Sequence, residues 1–148
     1  MWLTKKILVP TDFAESSRAA EDVALELAQR FAVPLTVVHI YPVPATIYTG
    51  VPFVPVADYV QAFEDAAKDQ LNSEAERLRG KGVEVSTVLK MGAPWEEILE
   101  IAKKVDVGLI VMGTHGRRGL PRALLGSVAE KVVRLSPVPV LTIHAAQS

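Results

Sequence analysis

The short apolar segments of this chain stand too far apart to be joined by hairpin turns, and this spacing restricts the fold strongly. Four runs rich in Val, Ile and Leu are found at Lys6–Val9, Leu35–Ile40, Val107–Met112 and Val138–Ile143. Runs that are apolar at almost every position are typical of strands covered on both faces, as in parallel sheets. A fifth segment, Glu84–Lys90, alternates more and is predicted to lie nearer an edge of the sheet.

Helical patterns fill the intervals between these strands. Apolar residues recur at helical spacing, and the four predicted helices are Ser16–Phe31, Ala57–Leu78, Pro94–Lys104 and Ser127–Leu135. Ser127 and Glu130 have the spacing of a capping box at the start of the last helix. The alternation of strands and helices predicts one α/β domain over residues 1–148, with parallel strands joined by right-handed crossovers. The proline-rich stretch Tyr41–Pro55 is predicted to be a long loop, and its role is open.

The composition restricts the classes of function open to this chain. Of its 148 residues 49% are hydrophobic, which is enough for one sizeable core without disulfides or structural metals. The formal net charge is −1 at pH 7, so a general nucleic-acid-binding surface is not expected. The lack of cysteine excludes thiol catalysis and Cys-ligated zinc. Neither a signal peptide nor an apolar run of transmembrane length is present, so we expect a cytoplasmic protein without membrane contact.

Two predicted strand ends are expected to meet where a ligand would bind. In open parallel sheets ligands bind beyond the carboxyl ends of the strands, where the strand order reverses. The first strand ends in Pro10, Thr11 and Asp12. The fourth strand ends in a glycine-containing segment, which consists of Met112, Gly113, Thr114, His115, Gly116, Arg117, Arg118 and Gly119 and continues to Gly126, Ser127 and Val128.

The glycine-containing segment is typical of a phosphate-binding loop. Gly113 and Gly116 carry no side chains where the loop leaves the sheet, so backbone amides can approach an anion closely. Gly126 and Ser127 open a helix whose free amides and positive dipole end favour phosphate. Cations that could reach the outer phosphates are Arg117, Arg118 and Arg122.

Each of these features also has an explanation without a ligand. The glycines could be turn residues, and the arginines could form a solvated loop face. Ser127 could act only as a helix cap, Asp12 could be the N-cap of the first helix, and Pro10 could merely end a strand. Of the histidines, His39 is predicted to be a strand residue with a satisfied side chain and His144 a surface residue.

The spacing of the glycines matches a known family. The P-loop and the G-x-G-x-x-G dinucleotide fingerprint are both absent. The pattern Gly-x₂-Gly-x₉-Gly-Ser at Gly113, Gly116, Gly126 and Ser127 resembles the ATP-binding signature of the universal stress protein family. The resemblance spans essentially the whole chain, with further matching segments at Lys6–Asp12, Val38–Ile40, Met91–Pro94 and Val138–Leu141. It implies a three-layer α/β domain with an open five-stranded parallel sheet in the order 3-2-1-4-5 and helices on both faces.

The resemblance also implies a role for each part of the site. Adenine and ribose would be lined by Pro10, Thr11, Asp12 and Ile40. The segment Gly113–Gly119 would wrap the ribose and phosphates, and the phosphate tail would be held by Gly126, Ser127 and Val128. Mg²⁺ or Mn²⁺ would be held mainly through the phosphates, so no protein ligand for a metal is predicted. Family members commonly dimerise, which implies a homodimer through the last strand.

The leading hypothesis is an ATP-binding regulator of the stress response that passes its nucleotide state to a partner protein or to its own dimer interface. Alternatives are a slow ATP hydrolase, a nucleotide-free structural dimer module and a flavin- or nicotinamide-binding electron carrier. Efficient hydrolysis is not expected, because the glycine loop has no carboxylate to orient or deprotonate water. The intact glycine pattern argues against the structural module, and the missing fingerprint argues against the electron carrier. The choice among ATP, AMP and a cyclic nucleotide is left open.

Overall fold

A computed structural model describes residues 4–42, 56–115 and 125–145 of this chain. The strands are β1 (Lys6–Pro10), β2 (Leu35–Tyr41), β3 (Val85–Met91), β4 (Val107–Gly113) and β5 (Val140–Ile143). The helices in the described ranges are α1 (Glu15–Phe31), α2 (Val56–Arg79), α3 (Pro94–Lys104) and α4 (Ser127–Leu135). All neighbouring strands pair in parallel, and the sheet order is β3-β2-β1-β4-β5. The predicted fold class and strand order are therefore confirmed.

Both faces of the sheet are covered by helices. On β1, Ile7 and Val9 point into a core shared with α1 and α2, while Leu8 points into a second core shared with α3 and α4. Leu8 and Val9 are completely buried. The near-continuous apolar runs of the central strands are explained by this double burial, because alternate side chains enter different cores. No helix in the described ranges has the length and apolar character needed to cross a membrane.

The edges of the sheet are formed by β3 and β5. The edge position predicted for the segment Glu84–Lys90 is confirmed by β3, most of whose residues are only partly buried. The last strand was predicted over Val138–Ile143 and as covered on both faces. It begins instead at Val140, and Leu141 is 37% exposed. It pairs only with β4, so one edge of its backbone has no neighbour among the described strands. The apolar sequence of this strand therefore does not reflect burial on both faces.

The caps of α1 and α4 also differ from the sequence patterns. The helix α4 has Gly126 as its N-cap and no side-chain cap, so Ser127 is the first helical residue and the capping box with Glu130 is wrong. Glu130 instead pairs with Arg134, at 3.3 Å. The N-cap of α1 is Ala14 rather than Asp12.

Candidate functional site

The sheet order reverses between β1 and β4, and a cavity of about 470 Å³ opens beyond the carboxyl ends of these two neighbouring strands. Such a switch point is where open α/β sheets bind ligands. The volume lies in the range of small-molecule sites, roughly 300–1,000 Å³. The topology therefore creates a cleft at the place that the sequence indicated.

Most of the residues predicted for the site line this one cavity. They are Pro10, Thr11, Asp12, Ile40, Met112, Gly113, Thr114, His115, Gly126, Ser127 and Val128. The lining also contains Ser17, Val38, Pro94, Ile98 and Ala129, which were not predicted. The remaining predicted residues, Gly116, Arg117, Arg118 and Gly119, lie outside the described residues, as does Arg122.

One wall of the cavity is apolar. Val38 and Ile40 at the end of β2 meet Ile98 of α3 and Met112 of β4, and all four side chains belong to the same buried core. Pro94 at the first position of α3 extends this wall. A rigid apolar wall of this kind suits a flat ring system, because it offers contact area without polar groups that need partners.

Other residues that line the cavity are polar, among them Asp12 in the loop between β1 and α1. Asp12 Oδ1 accepts hydrogen bonds from the Ala14 amide at 3.0 Å and the Ser17 hydroxyl at 2.7 Å. The Asp12 amide in turn donates to Ser17 Oγ, at 3.2 Å. The carboxylate is thus fixed by a buried serine from the first turn of α1, and its position in the cavity is set before any ligand arrives.

Thr11 is held still more firmly beside it. Its amide donates to the Val38 carbonyl at 2.8 Å, and its hydroxyl oxygen accepts from the Phe13 amide at 3.1 Å. The Thr11 carbonyl lies 2.7 Å from His39 Nδ1, and because a carbonyl only accepts, this ring nitrogen carries the hydrogen. The prediction that His39 is a satisfied strand residue is confirmed. Its ring also packs on Phe13, with centroids 4.4 Å apart.

Thr114 joins the end of β4 to two other segments of the site. Its amide donates to the Ile143 carbonyl of β5 at 3.0 Å, and its carbonyl accepts from the Gly126 amide at 2.6 Å. Its hydroxyl is completely buried and lies 3.1 Å from Nδ1 of both His115 and His144. His144 is exposed, as predicted, but it also contacts this buried hydroxyl. Thr114 therefore fixes the start of α4 relative to the sheet.

The start of α4 faces the cavity with Gly126, Ser127, Val128 and Ala129. The amides of the first helical turn have no acceptor within the helix, and the helix dipole places partial positive charge there. The Ser127 side chain is exposed and adds a hydroxyl at the same place. This end of the cavity can therefore bind an anion, while the apolar wall can hold a flat ring.

Fold and cavity together define an α/β protein with a ligand cavity at the switch point of a parallel sheet. The family model described as the universal stress protein family matches residues 4–144. The chain belongs to the universal stress protein family. One relative, universal stress protein MJ0531 of Methanocaldococcus jannaschii, is 35% identical over 142 residues, which cover 95% of this chain and 82% of the relative.

Solved structures are similar over almost their whole length. That of protein MJ0577 of Methanocaldococcus jannaschii has a TM-score of 0.85 at 31% identity and covers 99% of each chain. The universal stress protein of Archaeoglobus fulgidus in complex with dAMP has a TM-score of 0.68 at 26% identity, with 95% of this chain and 98% of that chain covered. A universal stress protein in complex with cAMP has a TM-score of 0.67 at 26% identity, with 97% and 98% covered.

Proposed function

We propose that this protein is a cytoplasmic, ATP-binding universal stress protein that acts as a nucleotide-dependent regulator of the stress response. The observation that carries the proposal is a cavity that has both an apolar wall and the start of α4 in its lining. A nucleotide has the same two-part chemistry, with a flat base at one end and an anionic chain at the other.

The described residues fit such a ligand. The base would lie against Val38, Ile40 and Met112, with Asp12 beside the ribose. The phosphates would extend toward the amides of Gly126 and Ser127, where an anion is stabilised by the helix dipole. We assign the segment 116–119 to the ribose and phosphates, and Mg²⁺ or Mn²⁺ to the phosphate oxygens.

Relatives support a nucleotide as the class of ligand, since one similar structure contains dAMP and another contains cAMP. We choose ATP for this chain because Gly113, Gly126 and Ser127 are arranged around the cavity in the spacing of the ATP-binding signature. Of the described residues that line the cavity, only Asp12 carries a carboxylate, and its Oδ1 is occupied by Ala14 and Ser17. We therefore expect binding with little hydrolysis.

We further propose that the protein is a homodimer through β5. This strand is at the edge of the sheet, and Leu141 is 37% exposed on it. An edge strand with an exposed apolar side chain is prone to pair with another chain. A nucleotide bound beside Thr114 would lie next to a residue that is hydrogen-bonded to β5, because the Thr114 amide donates to the Ile143 carbonyl.

The test is calorimetric titration of the purified protein with ATP, AMP, cAMP and GTP, after mass analysis of any nucleotide released on denaturation. We expect ATP to bind most tightly, and EDTA to weaken ATP binding but not AMP binding, because only the longer phosphate chain chelates the ion. Ser127→Ala should weaken ATP binding about tenfold or more, because a hydrogen bond to a charged group contributes about 1.5–3 kcal/mol.

Ser73→Ala is the matched control, because Ser73 is exposed on α2 away from the cavity. It should bind ATP like the wild type. No released nucleotide and no heat with any of the four ligands would contradict the proposal. Tighter binding of AMP or cAMP than of ATP would keep a nucleotide site and change its ligand.

A further inference from the structure

Two histidine rings share one buried hydroxyl at the carboxyl end of the sheet. Thr114 follows β4 and is completely buried, and its Oγ1 lies 3.1 Å from Nδ1 of His115 and 3.1 Å from Nδ1 of His144. The centroids of the two rings are 6.0 Å apart. His115 lines the cavity, whereas His144 follows β5, is exposed and lies outside that lining. The hydroxyl therefore connects the cavity wall to a side chain beyond it.

The hydrogen of this hydroxyl is directed at an imidazole rather than at the backbone. The Ile143 carbonyl is 3.4 Å from Thr114 Oγ1, which exceeds the roughly 2.5–3.0 Å of a normal O–H···O hydrogen bond. That carbonyl also accepts the Thr114 amide, at 3.0 Å. Both imidazole distances fall within the usual range for nitrogen and oxygen, about 2.7–3.2 Å. Because a hydroxyl donates only one hydrogen, one of the two Nδ1 atoms accepts from Thr114 and the other donates to it.

The surroundings of the two rings determine which of them accepts. A neutral imidazole carries its hydrogen on one ring nitrogen only. If Thr114 donates to Nδ1 of His115, the hydrogen of that ring is on Nε2, which is directed away from Thr114 and can donate to an anion. The reverse order would place a lone pair on Nε2 of His115, and a lone pair repels an anion. The ring of His144 is stable with its hydrogen on Nδ1, because it is exposed and its Nε2 can accept from water.

The backbone at this place is fixed by other contacts. The His115 amide donates to Ser16 Oγ of α1 at 3.4 Å, and the Thr114 carbonyl accepts from the Gly126 amide at 2.6 Å. The main chain therefore has little freedom to compensate when a side-chain contact changes. The orientation of the His115 ring depends on its side-chain contacts, of which the Thr114 hydroxyl is one.

We propose that His144 is a positioning residue of the ligand site. It donates from Nδ1 to the Thr114 hydroxyl, which donates to Nδ1 of His115 and so keeps the hydrogen of His115 on Nε2, where it donates to the anionic part of the ligand. The inference rests on the proposed nucleotide-binding function. Hydrogen bonds in such a chain strengthen one another, because each donor polarises the next. A side chain at the end of the edge strand β5 thereby contributes to affinity inside the cavity.

The first measurement is NMR of the imidazole nitrogens in the ligand-free protein at pH 8.5, where free histidine is neutral. The spectrum distinguishes a ring nitrogen that carries hydrogen from one that does not. We expect the hydrogen of His115 on Nε2 and that of His144 on Nδ1. Thr114→Ser keeps the hydroxyl and should give the same pattern. Hydrogen on Nδ1 of His115 in the wild type would overturn the proposal, whatever the protein binds.

The second measurement is Kd for Mg-ATP at the same pH. His144→Phe keeps a planar ring but cannot donate, and it should weaken binding about three- to tenfold, which is the value of one hydrogen bond. His144→Asn is the matched control, because its amide can place a donor where histidine has Nδ1, and it should bind ATP like the wild type. When His115→Phe is already present, His144→Phe should have no further effect, because His144 acts through His115.

Equal Kd values for His144→Phe and the wild type would overturn the role of His144 and leave the proposed function standing. An equal loss of affinity in His144→Asn and His144→Phe would also overturn it, and so would a loss of the same size with and without His115. Absence of ATP binding in the wild type and all variants would contradict the proposed function itself, and the positioning role of His144 with it.

Discussion

The backbone of Gly113 lies so close to Ser16 that no side chain fits between them. A Cβ atom added at Gly113 would lie 2.8 Å from the Ser16 carbonyl carbon and 2.9 Å from its oxygen, which is closer than carbon atoms pack in proteins. The first turn of α1 therefore crosses directly over the end of β4. The glycine that begins the phosphate-loop pattern is required by this helix–sheet contact, whatever the cavity holds.

Gly113→Ala should for this reason destabilise the protein even when no ligand is bound. We expect the free energy of unfolding to fall by about 1–3 kcal/mol, as for other overpacked sites, measured by urea denaturation. Gly80→Ala is a suitable control, because a Cβ there would meet only ordinary contacts, at 3.4 and 3.5 Å. Equal stability of the Gly113 variant and the wild type would contradict the close packing. Loss of ATP binding in such a variant would not by itself indicate a phosphate contact.

Ser17→Ala should weaken nucleotide binding indirectly, through the position of Asp12 rather than through a contact with the phosphates. Ser17 makes two hydrogen bonds to Asp12, one from its hydroxyl to the carboxylate and one from the Asp12 amide. Without these bonds the carboxylate is less well ordered before binding. The binding free energy should fall by the value of about one hydrogen bond, which raises Kd roughly fivefold. Calorimetry with ATP tests this, again with Ser73→Ala as control. An unchanged Kd would show that Asp12 does not need Ser17 for its position.

Thr114→Val should lower stability while leaving the shape of the site nearly unchanged. The buried hydroxyl is within 3.1 Å of two imidazole nitrogens, on His115 and His144, and valine offers neither of them a partner. We expect a loss of about 1–3 kcal/mol in the free energy of unfolding. Thr87→Val, on the half-buried edge strand β3, should change it by less than about 0.5 kcal/mol. A loss of equal size in both variants would argue against a role of the hydroxyl.

The fold was predictable because its signals are local. Apolar runs that alternate with helical patterns indicate a parallel sheet with helices on both faces. Leu8 and Val9 show the reason, because neighbouring residues of one strand enter different cores. The end of the sheet was harder to assign, because Val138–Ile143 is as apolar as the central strands. Its exposure at Leu141 depends on which strands lie beside it, and composition does not contain that information.

Within the site, the parts close to the glycine pattern were predicted and the supporting residues were missed. Ser17 and Ile98 belong to helices whose faces are set by tertiary packing, so their place in the cavity follows from the crossing of α1 and α3 over the sheet. The capping pattern at Ser127 was misleading, because the helix begins one residue earlier than the pattern requires, with Gly126 as its N-cap.

The stability of the protein without a ligand should depend on pH through Glu21, a carboxyl side chain of α1 that is only 1% exposed. Its pKa of about 7 lies above the value of 4.5 for the unfolded chain, so the folded state binds more protons between these values. The free energy of unfolding should therefore fall as pH rises from about 4.5 to 7, by no more than about 3 kcal/mol, and level off above 7. Urea denaturation along this range, compared with Glu21→Gln, measures the effect. A wild-type profile parallel to that of the variant would contradict a neutral Glu21 in the folded state.

Leu141→Glu should produce monomers if β5 forms the dimer interface. A buried carboxylate at the centre of an apolar contact lacks a partner and strongly disfavours association. Sedimentation or light scattering gives the mass of each form, and circular dichroism checks the fold. Phe31→Glu, at the end of α1 with a side chain 43% exposed, is the control and should remain a dimer. A wild type that is already monomeric would contradict the proposed interface.

The central position of β1 has a consequence for the order in which the molecule is completed. β1 is flanked by β2, which follows it closely, and by β4, whose first paired residue with Lys6 is Val107. A growing chain must therefore leave one edge of its first strand unpaired until some hundred residues have been added, and such distant pairings close slowly. The cleft between β1 and β4 does not exist before that moment. A ligand of this cleft can consequently act only on the finished domain, where it slows unfolding but does not speed folding.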